Sequence, residues 1–118
     1  MRIYTSYFGN YRNFSKEALV LGITRYPPKG VLNLQDCAPS EILLKKYKNK
    51  EIDEFTFSVY YKEELKNKFG RPEKLLNIFE KIGHGKDLIL CCYEKTGDFC
   101  HRQVLRDWLK KVVAITEI

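Results

Sequence analysis

Apolar residues along this chain fall into short runs and into longer stripes with helical spacing. Four runs of strand length, bounded by turn-forming residues, predict β-strands near residues 2–8, 19–24, 87–93 and 112–117. Stripes with helical spacing predict helices over 41–47, 51–69, 72–82 and 98–111. Because helices that connect strands favour a parallel sheet, the pattern predicts one small three-layer α/β domain over residues 1–118. We expect a mainly parallel sheet of about four strands with helices on its faces.

The composition is that of a folded domain. Of the 118 residues, 44% are hydrophobic, which is too many for a disordered chain and suits one core. No apolar run approaches the roughly 20 residues of a membrane-spanning helix, and the first residues lack the pattern of a signal peptide. These features predict an intracellular, cytoplasmic protein with no membrane partner.

The chain is basic, with 21 lysine and arginine residues against 15 acidic ones and a net charge of +6. This balance is compatible with an anionic ligand, such as a nucleotide or a nucleic acid. A solvated, lysine-rich surface without a specific partner explains the same charge. The charge alone therefore leaves both interpretations open.

Residues 88–102 contain three of the four cysteines, one of the two histidines, a glutamate and an arginine. The segment predicts a strand, a Thr-Gly-Asp turn and the start of a helix. Open α/β folds bind ligands at the carboxyl end of such a strand, beside the amino end of the next helix. Free N–H groups there attract anions and stabilise a nearby thiolate. This segment is therefore the predicted functional site.

Cys100 is the predicted nucleophile. With Asp98 as N-cap, Cys100 would lie in the first helical turn, where its pKa is lowered and His101 can tune the thiol or transfer its proton. We expect it to react with alkylating agents faster than Cys91 or Cys37. The alternative is a buried thiol that only packs the helix on the sheet.

Cys92, at the end of the strand, is expected to face the same cavity as Cys100. Together with His101 these cysteines could bind zinc, but the spacing is not that of common zinc motifs and a fourth ligand is not evident. No metal site is therefore predicted, and the sequence does not identify a cofactor. Structural disulfides are not expected either, because clustered cysteines in a cytosolic chain more often bind metals, act in catalysis or lie buried. Cys91 is predicted to be a core residue.

Other polar and aromatic side chains follow the predicted strand ends. Glu94 can act as a general acid or base or can orient Arg102. Arg25, which follows the second strand, would form an anion clamp with Arg102. Tyr26 and Tyr93 would form an aromatic wall for a nucleobase. Exposed loop charge and ordinary aromatic packing are the alternatives for these residues.

The site residues also form a specific motif. Cys92 and Glu94 stand one residue apart, and Cys100-His101-Arg102 follow after a short loop. This arrangement resembles the hallmark of the family known as domain of unknown function 488, whose members show Cys-x-Glu and then Cys-His-Arg. The chain is also similar to short members of that family in residues 3–8, 23–28 and 34–39.

The resemblance spans essentially the whole chain. The positions that match the family pattern are Cys92, Glu94, Cys100, His101, Arg102 and Arg25. Thr24 stands where many members have serine. The resemblance implies an α/β fold and a shared site, and it brings no established activity with it.

Two functions are consistent with these residues. In the first, an enzyme uses Cys100 or Cys92 on a phosphate-bearing substrate such as a nucleotide or nucleic acid, while Glu94 and His101 handle protons. In this scheme, Arg25 and Arg102 hold the anion. In the second, the same pocket is a noncatalytic binding module for a nucleotide or nucleic acid, and the cysteines are structural.

Overall fold

A computed structural model describes all 118 residues, and its four strands form a single, entirely parallel sheet. The strands are β1 Ile3–Tyr7, β2 Leu19–Gly22, β3 Leu88–Cys92 and β4 Ile115–Glu117. Their order across the sheet is β2-β3-β1-β4, and each neighbouring pair is parallel. The predicted α/β fold with a mainly parallel four-stranded sheet is confirmed.

Four α-helices connect the later strands: α1 Glu41–Lys48, α2 Glu54–Phe69, α3 Pro72–Gly83 and α4 His101–Leu109. Local sequence explains where the first three begin. The Ser40 and Asp53 side chains accept hydrogen bonds from the first turns of α1 and α2, and a proline, which needs no amide partner there, opens α3. None of the helices combines the length and apolar character needed to cross a membrane.

The core lies between one face of the sheet and the α-helices. Alternation along β3 directs Leu88 and Leu90 into the apolar cluster that all four helices share, whereas Ile89 and Cys91 lie outside that cluster. A 3₁₀ helix over Phe8–Asn13 connects β1 to β2. Across the sheet, the β1–β2 connection runs in the direction opposite to that of the β2–β3 and β3–β4 connections. Because crossovers between parallel strands are right-handed, it lies on the face opposite the α-helices.

Several predicted boundaries are wrong at their ends. Helix α4 starts at His101 rather than at 98, because Lys95–Asp98 closes a turn in which the Asp98 amide donates to the Lys95 carbonyl at 3.0 Å. Cys100, not Asp98, is therefore the N-cap residue, and its side chain makes no capping hydrogen bond. Strand β2 ends at Gly22 rather than at 24, since the Asn33 side chain bonds both the amide and the carbonyl of Thr24. Strand β4 begins at 115 rather than 112, because α4 ends in a turn.

The side chain of Tyr61, a residue of α2, extends into the core and makes a buried hydrogen bond. It is fully buried and donates to the carbonyl of Cys37. We expect Tyr61→Phe to lower the free energy of unfolding by about 1–3 kcal/mol, because it leaves that buried carbonyl without a donor. Urea denaturation measures the change. Tyr60→Phe, on the exposed face of the same helix, should stay within about 0.5 kcal/mol of wild type; equal effects of the two variants would contradict the prediction.

Candidate functional site

The loops after β2 and β3 meet at the carboxyl edge of the sheet, because these strands are neighbours. The carbonyl of Ile23 lies 2.5 Å from His101 Nε2, and the Tyr93 hydroxyl donates to the carbonyl of Tyr26 at 2.5 Å. Residues far apart in sequence are thus joined across this edge. It is the place where parallel α/β sheets bind their ligands.

The Cys100 sulfur lies at the junction between the β3–α4 loop and α4. Glu94 Oε2 is 3.2 Å from Cys100 Sγ, and His101 Nδ1 is 3.7 Å from it. Cys100 is 3% exposed, whereas Glu94 faces solvent. A cysteine sulfur, a carboxylate and an imidazole therefore converge at a point that is buried on one side and open on the other.

The hydrogen bond to Ile23 fixes the tautomer of His101. A backbone carbonyl can only accept, so Nε2 carries the proton and Nδ1 presents its lone pair toward Cys100. Burial lowers the pKa of His101, and the nearby Arg102 charge acts in the same direction; the Ile23 carbonyl and Glu94 oppose them without cancelling the shift. The ring is consequently neutral at pH 7, with Nδ1 free to accept a proton from a thiol.

Cys92 and Cys100 are joined through their sulfur atoms, with their Cα atoms 7.6 Å apart. The sequence analysis expected no structural disulfide and did not anticipate this pair. Strand alternation directs Cys92 toward the helical face, where the start of α4 places Cys100 opposite it. The expectation rested on the redox state of the compartment, which says nothing about how close two thiols lie in the fold. Cys37 and Cys91 are free and buried.

Arg102 is completely buried and holds the centre of the site together. Its Nη1 donates to the Glu94 carbonyl at 2.7 Å and to Cys92 Sγ at 3.0 Å. Its Nε and Nη2 both donate to the Glu117 carboxylate, the latter at 2.8 Å. Since every nitrogen of this guanidinium has a partner within the protein, we assign Arg102 a positioning role rather than a place in an anion clamp.

Glu117 is the main site residue that the sequence analysis missed. It accepts hydrogen bonds from Arg102, Thr5 and Thr96. Burial acts to raise the pKa of Glu117, but these hydrogen bonds outweigh it and hold the pKa below its usual value. The partnership depends on β4 lying beside β1, where Glu117 is in register with Thr5. Nothing near Arg102 in the sequence signals this pairing.

The other predicted ligand-binding residues lie on the loops at the same edge. Arg25 is half-buried, and its Nη1 makes a long 3.4 Å hydrogen bond to the Pro39 carbonyl. Tyr26 and Tyr93 are 64% and 51% exposed, which leaves much of each ring free for a ligand. The Phe8 ring packs against Tyr93 at a centroid distance of 5.0 Å.

An open cavity of about 800 Å³ lies where α1 turns into α2. Tyr47 forms part of its wall and packs against Phe99 of the β3–α4 loop at 5.4 Å. Burial raises the pKa of Tyr47, and the negative charges of Glu54 and Glu94 raise it further. The cavity wall is therefore within electrostatic reach of the Glu94 carboxylate.

Cys100 and Arg106 have the Cys-x5-Arg spacing of protein tyrosine phosphatases, although Arg106 was not among the predicted site residues. In those enzymes this spacing forms a loop of N–H groups around a phosphate. In this chain residues 101–106 lie in α4, so the backbone does not curl around the Cys100 sulfur. The spacing therefore does not support a phosphatase loop.

Cys92, Cys100 and His101 bring one nitrogen and two sulfur donors within 4.8 Å of one another. Closed zinc sites with such ligands normally use four donors. This set provides three, and we assign no metal to it.

Comparisons with known proteins agree with the motif. A family model described as the active DUF488-N3 subclade, DUF488-N3a, matches residues 3–112. The match includes every site residue described above except Glu117. No curated protein and no solved structure matches the chain.

Proposed function

This chain belongs to the DUF488 family, in its DUF488-N3 subclade, and we propose that it is a cysteine-dependent enzyme acting on a phosphate-bearing substrate, a nucleotide or nucleic acid. One observation carries the proposal: Cys100 Sγ lies beside His101 Nδ1, and the Ile23 carbonyl orients the imidazole. A nucleophile beside a base that a third group orients is the arrangement of covalent catalysis.

In the reduced enzyme, Cys100 transfers its thiol proton to His101 Nδ1. The thiolate then bonds to the electrophilic atom of the substrate as the leaving group departs, and the imidazolium returns the proton to that group. Glu94, at 3.2 Å from the sulfur and exposed, accepts a hydrogen bond from the thiol in the resting state and activates the water that releases the product. Arg102 and Cys92 hold this arrangement in place from behind.

The substrate class is inferred from the charge of the chain and from the side chains on the loops at the carboxyl edge of the sheet. The chain carries a net charge of +6, and the half-buried Arg25 lies in the loop that contacts His101. The exposed rings of Tyr26 and Tyr93 offer aromatic surface on which a base can stack. A cation and aromatic rings on the loops at one edge of the sheet favour a ligand that combines phosphate and base.

The test uses reduced protein and a panel of nucleoside mono-, di- and triphosphates and short single-stranded DNA and RNA. We expect turnover of at least one substrate, and we expect Cys100→Ser to lower it by at least about 10³-fold, as removal of a nucleophile does in well-studied enzymes. Cys91→Ala is the matched control, because Cys91 lies outside the helical core cluster in the same strand as Cys92.

Thiol reactivity provides a second readout that needs no substrate. Iodoacetamide at pH 6 should modify Cys100 first, because burial raises the pKa of Cys91 to about 12 and raises that of Cys37 further still. Binding of a labelled nucleotide without turnover, together with an inert Cys100, would overturn the proposal in favour of a noncatalytic binding module.

A further inference from the structure

We propose that Cys92 and Cys100 form a reversible thiol–disulfide site that hydroperoxides oxidise and dithiols reduce. Oxidation would remove the nucleophile and switch the enzyme off. The regulatory part of this inference rests on the function proposed above, whereas the redox chemistry of the pair does not.

The surroundings of both sulfurs suit thiols better than a disulfide. Glu94 Oε2, at 3.2 Å from Cys100 Sγ, can accept a hydrogen bond from a thiol, but a disulfide sulfur has no proton to donate. Arg102 Nη1, at 3.0 Å from Cys92 Sγ, stabilises a thiolate, whereas a disulfide sulfur carries no charge. Contacts that favour the reduced form make a disulfide easy to reduce.

The fold does not depend on the bond between the two sulfurs. The two cysteines are only 8 positions apart, so the bond constrains the unfolded chain less than a disulfide between distant segments would. The hydrogen bond from Arg102 Nη1 to the Glu94 carbonyl spans the same loop at 2.7 Å. This hydrogen bond holds the β3–α4 loop closed when the two sulfurs are reduced.

Burial assigns different roles to the two cysteines. Cys92 is fully buried, whereas Cys100 is 3% exposed and borders the solvent-facing Glu94. Cys100 is therefore the cysteine that meets the oxidant. Cys92 is the resolving cysteine, held against the sulfur that it attacks.

The chemistry balances with a hydroperoxide as oxidant. The Cys100 thiolate attacks the peroxide, the O–O bond breaks, and the products are a sulfenic acid on Cys100 and an alcohol, or water from hydrogen peroxide. The Cys92 thiolate then attacks the Cys100 sulfur, forms the S–S bond and displaces hydroxide, which leaves as water after protonation. A dithiol reverses the change through a mixed disulfide and is itself oxidised to a disulfide.

The experiment treats fully reduced protein with hydrogen peroxide and follows the intact mass. Trypsin cleaves after Lys86, Lys95 and Arg102, so residues 87–95 and 96–102 form separate peptides that the disulfide joins. We expect a loss of two hydrogens, a joined pair of these peptides, and complete reversal by dithiothreitol. Cys91→Ala should behave like wild type, which excludes Cys91 as the partner in the shared peptide.

Cys92→Ser distinguishes a resolving cysteine from a bystander. Without Cys92, the sulfenic acid on Cys100 should persist long enough to be trapped by dimedone and should then progress to sulfinic acid, which dithiothreitol does not reverse. If Cys92→Ser resists peroxide, or if it recovers as fully as wild type does, the proposed pair is wrong.

The remaining outcomes separate this inference from the proposed function. Peroxide should abolish turnover by wild type, and dithiothreitol should restore it. A reversible disulfide in a protein without turnover in either state would support the redox pair and overturn the proposed function. Turnover that survives formation of the disulfide would overturn the regulatory role, and one equivalent of tightly bound zinc that blocks both thiols would overturn the redox site.

Discussion

Replacing His101 by glutamine is expected to lower kcat/KM of the reduced enzyme by about 10²–10⁴-fold, the usual contribution of a general base. A glutamine amide can still donate to the Ile23 carbonyl, but it offers no base at the position of Nδ1. The same variant should alkylate more slowly at Cys100. Turnover assays on the reduced protein measure kcat/KM, and peptide mass spectrometry measures the alkylation of Cys100.

The pH profile gives this prediction a direction. Burial lowers the pKa of His101, so the base stays mostly neutral at pH 6.5, where an ordinary histidine is half protonated. The activity that depends on His101 should therefore persist on the acid side of pH 6.5 and fall only as the pH passes the lowered pKa. An acid limb centred at 6.5 or above would contradict this role.

The second histidine of the chain is the matched control. His84 is exposed and lies in a left-handed conformation just after α3, before the amino end of β3, whereas Cys92 stands at the carboxyl end of that strand. His84→Asn preserves that conformation well, because asparagine tolerates it. It should leave both the activity and the alkylation of Cys100 unchanged. Equal losses in the two variants would show that His101 acts through the stability of the fold rather than as a base.

The sequence identified the site because the site is built mostly from local elements. Residues 88–92 form an unbroken apolar run, and an entirely apolar run of that length is typical of a strand buried on both faces. The turn that follows and the start of α4 are encoded within ten residues. The local sequence was therefore enough to place Cys92, Glu94 and Cys100 at one site.

The partners supplied by the sheet order could not be predicted in the same way. Arg102 was expected to form an anion clamp with Arg25, so that a bound ligand would neutralise its charge. The order β2-β3-β1-β4 brings the last strand close enough for Glu117 to take that role. A one-residue slip of β4 would turn Glu117 to the other face, and the local sequence does not specify this register.

The same reasoning separates two groups within the family motif. Glu94, Cys100 and His101 surround the point where chemistry is proposed, and the first of them faces solvent. Arg102 and Cys92 lie behind them, completely buried. The motif is short in sequence, but it contains two kinds of residue: those proposed to react and those that hold the reacting residues in place. This division explains why substitutions within one motif should affect two different quantities, activity and stability.

Glu117→Gln should show the stability effect most clearly, with a loss of about 3–5 kcal/mol in the free energy of unfolding, the usual cost of removing one partner of a buried ion pair. Glutamine has nearly the same volume, and its carbonyl can accept one hydrogen bond. It carries no charge, however, so the completely buried Arg102 keeps its positive charge without a counterion. Urea denaturation in the presence of dithiothreitol measures the loss without a contribution from the disulfide.

The pH dependence tests the same ion pair by another route. Because the pKa of Glu117 is lowered in the folded protein, its contribution to stability is complete above the ordinary glutamate pKa of about 4.3 and is lost as the pH falls through the lowered value. The difference in stability between wild type and Glu117→Gln should therefore be constant near pH 7 and shrink on acidification. Asp107→Asn is the control, since Asp107 forms only exposed ion pairs with Lys62 and Lys110 and should cost no more than about 1 kcal/mol. If Glu117→Gln costs as little as that control at pH 7, Arg102 does not depend on Glu117, and this ion pair does not position Cys92 and Glu94.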